Sequence, residues 1–199
     1  MNKVTLTGVI SSEFVLDHEI FDEKFYKTFL TVTRKSGAQD ELPLIISERL
    51  LADEEYVGCE VSVSGQFRSR NVADGKKGHL VLFVFVSEIN ITSGEIKEED
   101  VNHIVLEGFL CKQPTYRKTP SEREISDLLV AVNRRNGKSD YIPCIAWGRN
   151  AVFASTMPVG AMISLEGRVQ SRIYTKILGN QREGRVAYEV SVSRLKVQE

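Results

Sequence analysis

Residues 2–10, NKVTLTGVI, return 100 positions later as NHIVLEGFL at residues 102–110. In both stretches apolar residues alternate with polar or small ones, which is typical of a β-strand with one buried face. The match continues, because residues 65–70 correspond to residues 167–172 at an offset of 102. The offset changes only between apolar runs, where loops accept insertions. We therefore interpret the chain as a tandem duplication of one β-rich unit.

Each copy contains five β-rich runs separated by turn residues, with a short helical segment at residues 48–56 or 149–157. Five strands with a helix between strands 3 and 4 are typical of an OB-fold barrel. We predict an all-β chain with two tandem OB-fold five-stranded barrels, each with this short helix. The predicted boundaries are residues 1–91 for the first barrel, 92–100 for a polar linker and 101–199 for the second barrel.

The composition, 42% hydrophobic and 27% charged, is typical of a globular protein. No run approaches the roughly 20 apolar residues that span a bilayer, and the N-terminus lacks the apolar core of a signal peptide. We therefore predict a cytoplasmic protein with no membrane partner. The three cysteines form no CxxC pair and the three histidines lack ligand spacing, so we expect no metal site.

Charge is divided unequally between the copies. The first 100 residues hold 11 Lys and Arg against 18 Asp and Glu, whereas the remaining residues hold 15 against 9. A polyanion is attracted to the basic copy and repelled by the acidic one. This difference favours nucleic-acid binding by the second copy, and the alternative is that it reflects drift of solvated surface residues.

Two aromatic residues on the predicted third strand of the second copy are candidate base-stacking platforms. Ile142, Cys144 and Ala146 share one parity on this strand and suit a barrel interior. Tyr141 and Trp147 have the opposite parity and lie about 20 Å apart at the usual strand rise. We predict that both rings face solvent and stack on unpaired bases. The alternative is that Trp147 packs in the core or at a subunit interface.

Tyr174, at the end of the predicted fourth strand, is the third candidate platform, with the start of a loop as the alternative. The corresponding residues in the first copy are Glu41, Ser47 and Val72, so we predict a degenerate binding face there. Cations interleaved with aromatic rings are typical of surfaces that bind single strands. The predicted phosphate contacts are Arg117, Arg134, Arg135, Lys138, Arg149, Arg172 and Lys176.

The second copy resembles the bacterial single-stranded DNA-binding proteins and the related primosomal replication protein N family. The resemblance covers nearly all of this copy, and its strongest parts are the opening strand, residues 102–110, and SDYIPCIAWGR at residues 139–149. The first copy departs from it, with Phe14 in place of Pro114 and Asp17 in place of Arg117.

The resemblance implies OB-folds, an oligomer that displays several of them, no catalysis and no cofactor. It also implies that aromatics of the third strand and one near the end of the fourth stack on bases, and Tyr141, Trp147 and Tyr174 hold those positions. The preference for DNA over RNA comes from the resemblance alone. Two barrels in one chain lead us to expect a homodimer with four. The sequence stops soon after the last strand, without the long acidic-tipped tail of typical family members, so we expect no partner recruitment by that route.

We predict non-catalytic binding of single-stranded DNA with little sequence preference, mainly through the second copy. The context would be replication, recombination or repair in a bacterium or phage, with proteins of those pathways as further partners. One alternative is a tailless primosomal-type protein that acts chiefly as an interaction module, with Phe21, Phe25 and Tyr26 exposed instead of packed in the core. Another is a binder of single-stranded RNA. A cysteine enzyme using Cys144 and His103 is disfavoured, because Cys144 has the inward parity of its strand.

Overall fold

Almost every described segment of the chain is β-strand. The structure is a computed structural model that describes residues 1–52, 55–74, 77–92, 102–178 and 181–198. Within these ranges it contains twelve strands, one α-helix and one 3₁₀ helix. The all-β prediction is therefore confirmed. None of the helices described here is long and apolar enough to cross a membrane.

The first half of the molecule, residues 1–92, holds six strands and the 3₁₀ helix, Glu48–Leu50, which follows the fourth strand. The strands are β1 (Asn2–Ile10), β2 (Val15–Ile20), β3 (Glu23–Thr33), β4 (Gln39–Ser47), β5 (Glu60–Asp74) and β6 (Lys77–Ile91).

The second half, residues 102–198, repeats this order with an α-helix in place of the 3₁₀ helix. Its elements are β7 (Asn102–Leu110), β8 (Thr115–Lys118), β9 (Glu124–Asn133), β10 (Ser139–Trp147), α1 (Arg149–Ser155), β11 (Met162–Leu178) and β12 (Gln181–Val197). Of the predicted linker, residues 92–100, all but Thr92 lie outside the described residues.

Strand pairing closes each half into a ring. In the first half the pairs β1–β3, β3–β4, β4–β6, β6–β5 and β5–β1 return to their starting strand. In the second half β7, β9, β10, β12 and β11 form the same cycle, and β4–β6 and β10–β12 are the parallel pairs. Closure removes the free sheet edges that a single open sheet would expose.

Two strands were not predicted. β2 and β8 each form a hairpin with the strand that follows, outside the five-strand ring. Every residue of β8 is exposed, and β2 has no buried residue. A strand without a buried face has no alternation of apolar and polar residues, so the sequence pattern does not reveal it. The predicted count of five strands per copy is therefore corrected to six, of which five form the ring.

Glycines allow the long strands to bend as the rings close. The register of β5 against β6 shifts next to Gly65, and that of β11 against β12 shifts next to Gly167. A Cβ atom on either glycine would lie 2.2 Å from a backbone carbonyl oxygen, that of Phe85 or Ser191. Only a residue without a side chain permits this approach.

The two rings share one sheet and one apolar core. β1 pairs with β7 in antiparallel register, with Val4 opposite Ile104, so the twelve strands form a continuous sheet. Most of the buried apolar residues of both halves form one contact cluster, and Phe25, Ile45 and Phe83 form a second, smaller one. Burial of this core supplies the main favourable contribution to folding.

A buried ion pair of the first half also reaches into the second half. Asp40 has no exposed surface, and its carboxylate accepts hydrogen bonds from Arg34 Nε at 2.6 Å and from the backbone N–H of Ser171 at 2.7 Å. Arg34 Nη2 in turn donates to the Ser171 carbonyl at 3.1 Å. Burial opposes ionisation of Asp40, but the bonds from Arg34 and Ser171 outweigh it and hold its pKa below the ordinary value.

The second half returns the same contact. Asp140 is buried and accepts from Arg134 Nε at 2.8 Å and from the backbone N–H of Ser69 at 2.6 Å. Arg134 Nη2 donates to the Ser69 carbonyl at 3.0 Å and also to Asp140. Each half therefore clamps a serine on the long fifth strand of the other. We call these two reciprocal clusters, together with the β1–β7 pair, the joint.

Candidate nucleic-acid interface

The two predicted platforms on β10 are exposed. Tyr141 is 41% exposed and Trp147 is 37% exposed, whereas Ile142, Cys144 and Ala146 are buried inside the ring. The orientation predicted from strand parity is therefore present. A role of either ring in base stacking stays a prediction.

Ile145 has the same parity on β10 as the two rings, but it is not exposed. Ile145 is only 4% exposed, and it lies in the floor of the depression that contains Trp147. The outer face of β10 thus presents two aromatic rings separated by an apolar floor rather than a row of exposed side chains.

Trp147 lies in a depression of about 760 Å³. Its indole Nε1 donates to Ser191 Oγ at 3.2 Å, which holds the ring edge against β12. Four arginines and one carboxylate line the same depression. These residues are Arg34, Arg123, Arg168, Arg172 and Glu189. The balance of charge around the ring therefore favours an anion.

Two of those arginines, Arg34 and Arg123, have positions that the sequence did not reveal. Arg34 arrives from the first half through the joint. Arg123 lies in the loop between β8 and β9, a hairpin that left no periodic signal. Arg168, which directly follows Gly167 on β11, is exposed between two buried residues of that strand. Its outward orientation could therefore have been predicted from the alternation of the strand.

Tyr141 lies in a different depression, between the two halves, with a volume of about 670 Å³. Its backbone N–H donates to Ser69 Oγ at 2.7 Å, so the ring stands next to the joint. Arg134 and Lys138 line the same depression. The two rings of β10 therefore belong to separate grooves at opposite ends of the strand.

Tyr174 is 38% exposed and lies in a third depression, of about 420 Å³, together with Phe29 and Lys27 of the first half. Arg172 lines both this depression and the one that contains Trp147. The three predicted rings are thus not brought into one groove, and the ion pair of Arg172 with Glu189 lines two of their sites.

Three of the predicted phosphate contacts already have acidic partners. Arg117 pairs with Asp127 on the surface, with Nε 3.1 Å from Oδ2. Arg172 pairs with Glu189 at 3.4 Å. Arg134 is held in the joint by Asp140 and Ser69, so we assign it to the joint and correct its prediction as a surface phosphate contact. The Arg117–Asp127 pair is exposed on both sides and can open towards a phosphate at small cost, whereas Arg172 is exposed but its partner Glu189 is buried.

The remaining predicted cations are less constrained. Arg135 and Lys138 lie in the β9–β10 turn and Arg149 begins α1, and all three side chains are exposed. Within the described part of the chain they form no ion pair, so they are available to an external anion. Lys176 lies on β11, but its side chain is outside the described residues.

The candidate nucleophile Cys144 is not placed for catalysis. Cys144 is buried in the ring, and burial raises the pKa of its thiol well above the ordinary value, so the thiolate is disfavoured. Among the described residues, no three His, Cys, Asp or Glu side chains converge as a metal site requires. The arrangement can hold anions and flat rings.

Fold and site together define an all-β protein whose second half presents aromatic rings beside cations on a curved sheet. Residues 101–198 match the sequence model of the single-strand binding protein family. Through these residues the chain belongs to that family.

Several known proteins are similar to parts or all of the chain. A single-stranded DNA-binding protein from Oceanobacillus iheyensis is 35% identical over 79 residues, which are 36% of this chain and 49% of that protein. Single-stranded DNA-binding protein 2 from Streptococcus agalactiae is 37% identical over 82 residues, 38% of this chain and 63% of that protein. The chain therefore spans about half to three fifths of these relatives.

The similarity of fold extends over both halves. The crystal structure of the wild-type single-stranded DNA binding protein from Thermus aquaticus superposes with a TM-score of 0.76. The alignment covers 100% of this chain and 93% of that protein at 22% identity. At this level of identity the comparison establishes the fold alone.

Proposed function

We propose that this protein binds single-stranded DNA without catalysis and with little sequence preference, mainly through its second half. The observation that carries the proposal is Trp147, an exposed ring fixed by Ser191 and surrounded by arginines. Stacking on such a ring contributes about 1–3 kcal/mol per base and tolerates every base, because each has a π-face. Membership of the single-strand binding protein family supports the same ligand.

Phosphates would follow the exposed cations while bases stack on Trp147, Tyr141 and Tyr174. Arg135, Lys138 and Arg149 have no acidic partner among the described residues and would contribute most of the electrostatic attraction. For single strands the logarithm of the binding constant falls by about 0.7 per neutralised phosphate for each tenfold rise in salt. Contact with roughly five phosphates would give a slope of about −3.5.

The architecture that would carry this function is a pair of tandem OB-folds, residues 1–91 and 101–199. The repeated ring closure and the likeness to the Thermus aquaticus protein support this assignment. Two chains would then present four barrels as a homodimer, which static light scattering would detect. We place the protein in the cytoplasm, in replication, recombination or repair, where proteins of those pathways would be further partners.

A second candidate function is protein contact through the first half. Phe21 is 96% exposed at the tip of the β2–β3 hairpin, between acidic residues. Phe25, by contrast, is buried and Tyr26 is half-buried. An isolated exposed ring in acidic surroundings repels DNA and suits a partner with an apolar, cationic pocket.

The single tryptophan provides a direct test. Titration with oligo-dT is expected to quench Trp147 fluorescence, whereas duplex DNA of the same length leaves it unchanged. Parallel titration with oligo-U measures the preference between DNA and RNA. An unchanged spectrum, combined with no change in the anisotropy of a labelled oligonucleotide, would contradict the proposed function.

A further inference from the structure

The groove between the halves has a composition that suits nucleic acid on both of its walls. It has a volume of about 670 Å³ and is bounded by β5 and β6 of the first half and by the β9–β10 turn. Arg68, Arg70, Arg134 and Lys138 line it, and no Asp or Glu is among its described lining residues. The first half has a net negative charge, but the part of it that lines this groove carries positively charged side chains.

Of the four cations that line this groove, Arg68 and Lys138 have no carboxylate partner among the described residues, and Arg68 is the one with a planar charged group. Its guanidinium lies 4.0 Å from the centre of the Phe85 ring, and its Nε and Nη2 both donate to Gln66 Oε1. No carboxylate of the described residues lies within ion-pair distance of it. Burial lowers the pKa of Arg68 and the charge of Arg134 lowers it further, while the charge of Asp140 opposes this shift without cancelling it. An anion that enters the groove would favour the charged form of Arg68.

The two neighbouring arginines do not share this state. Arg70 donates to both carboxylate oxygens of Asp17, at 2.7 and 2.8 Å. Arg134 is bound to Asp140 in the joint. Arg68 therefore differs from these two arginines in having no carboxylate partner among the described residues.

A second flat group, the His18 ring, lines the same groove. The His18 ring is stacked on Phe25, with centroids 4.7 Å apart and planes 4° from parallel. The Phe25 and Phe85 rings lie 5.8 Å apart. His18 and Arg68 thus line one groove as planar groups that each lie against a phenyl ring, and Tyr141 lines the same groove from the second half. Arginine planes and aromatic rings are both surfaces on which unpaired bases stack.

We propose that this groove is a second binding site for single-stranded DNA, in which bases stack on Arg68 and His18 and a phosphate is neutralised by Arg68. A strand that stacks on Tyr141 would continue into it. This inference rests on the proposed function and revises the sequence-based expectation of a degenerate first half. That expectation considered positions 41, 47 and 72, whereas the supporting rings of this site come from β3 and β6.

The test compares variants of the full chain on two lengths of oligo-dT. A short oligonucleotide of about 8 nucleotides fits one surface, and one of about 35 extends over both halves, given site sizes of roughly 4–16 nucleotides per OB-fold. Arg68→Gln is expected to weaken binding of the long oligonucleotide about tenfold and to leave quenching of Trp147 by the short one unchanged. Arg68→Lys keeps the charge and loses the plane, so it should recover only part of the affinity.

Arg49→Gln is the matched control, because it removes the same charge from an exposed position of the first half, outside the groove. Equal urea midpoints for all variants would exclude a folding defect. Photocrosslinking with 4-thiothymidine oligonucleotides should label residues 66–71 or 80–85. Equal affinities of the Arg68→Gln and Arg49→Gln variants for the long oligonucleotide, or crosslinks confined to the second half, would overturn the inference. Loss of all oligonucleotide binding by the unmodified protein would instead overturn the proposed function.

Discussion

The two halves of the molecule have the same ring and different outer faces. Trp147 ends β10 as an exposed ring, and the matching residue that ends β4 is Ser47, which is hydrogen-bonded to Glu23. Tyr141 likewise corresponds to Glu41. Residues that close the ring and form the joint are repeated in both halves, whereas outward residues are not. Duplication has therefore preserved what folds the chain and altered what it presents to a ligand.

A second difference concerns the ion pairs of two matching arginines, Arg70 in the first half and Arg172 in the second. In the first half Asp17 binds Arg70 through two hydrogen bonds. At the matching position the second half has Arg117, and Arg172, which corresponds to Arg70, has only a looser pair with Glu189. Both halves thus pair this arginine with a buried carboxylate, but the hydrogen bonds are shorter in the first half than in the second.

The largest expected effect tests the shared feature, the joint. Asp140→Ala should lower the free energy of unfolding by about 3–5 kcal/mol, because it leaves Arg134 and the Ser69 N–H without their partner in a buried place. Asp40→Ala should cost about as much, since its cluster is the counterpart of the first. Urea unfolding at pH 7 measures both.

Asp127→Ala is the control for that experiment, because it breaks an exposed pair with Arg117 and should cost less than about 1 kcal/mol. A small effect of either joint variant, comparable with this control, would show that the two halves are not held together symmetrically.

Much of the fold could be predicted because buried strands leave a periodic pattern. Val4 and Leu6 alternate with polar residues, as do Ile104 and Leu106, and all four are buried. The exposed strand β8 left no such pattern and was missed. The pairing of β1 with β7 depends on contacts between residues 100 positions apart, which periodicity within one strand cannot reveal.

The site was predictable to the same extent. Parity on one strand sufficed to place Tyr141 and Trp147 outside the ring. It could not show that Arg134 is bound to a buried carboxylate. Asp140 is buried in the joint, by contacts with the other half that the pattern within one strand does not contain. Nor could comparison of the two copies identify Arg68 and Phe85 as a stacked pair. The residue of the second half that corresponds to Phe85 is Ser191, which has no ring.

The next effect tests the difference between the outer faces. Trp147→Ala should weaken oligo-dT binding by about 1–3 kcal/mol, roughly 5- to 150-fold, because one stacked base is lost. Ser47→Ala, at the matching position of the first half, should leave affinity within about twofold. Fluorescence anisotropy of a labelled oligonucleotide at fixed salt measures both variants. Equal effects would mean that the second half has no advantage at this position.

A smaller effect separates the halves by pH. The hydrogen bond from Arg70 is the largest cause that lowers the pKa of Asp17, from 3.8 to about 2, against the opposing effect of burial. Because the pKa is lower in the folded state, the pair stabilises the protein above about pH 4, and this stabilisation is lost as the pH falls towards 2. Asp17→Asn should therefore cost about 1–2 kcal/mol at pH 7 and almost nothing near pH 2.

Urea unfolding of the Asp17→Asn variant and of the unmodified protein at pH 7, 4 and 2.5 follows this convergence. A difference in stability that stays constant over the whole range would mean that the Asp17 carboxylate does not act through its charge.

The smallest expected effect concerns the hairpins outside the two rings. β2 and β3 are joined by only Phe21 and Asp22, with φ of 51° and 61°, whereas β8 and β9 are joined by residues 119–123. A two-residue turn with both φ values positive favours Asn and Gly, and an aromatic residue is strained there. Since Phe21 is almost fully exposed, its ring gives little packing in return. Phe21→Asn should therefore stabilise the protein by about 0.5–1 kcal/mol. Phe21→Leu is the control, because leucine is also ill suited to a positive φ, and it should change the urea midpoint very little. A loss of stability in the Phe21→Asn variant would indicate that the Phe21 ring makes a stabilising contact within the first half.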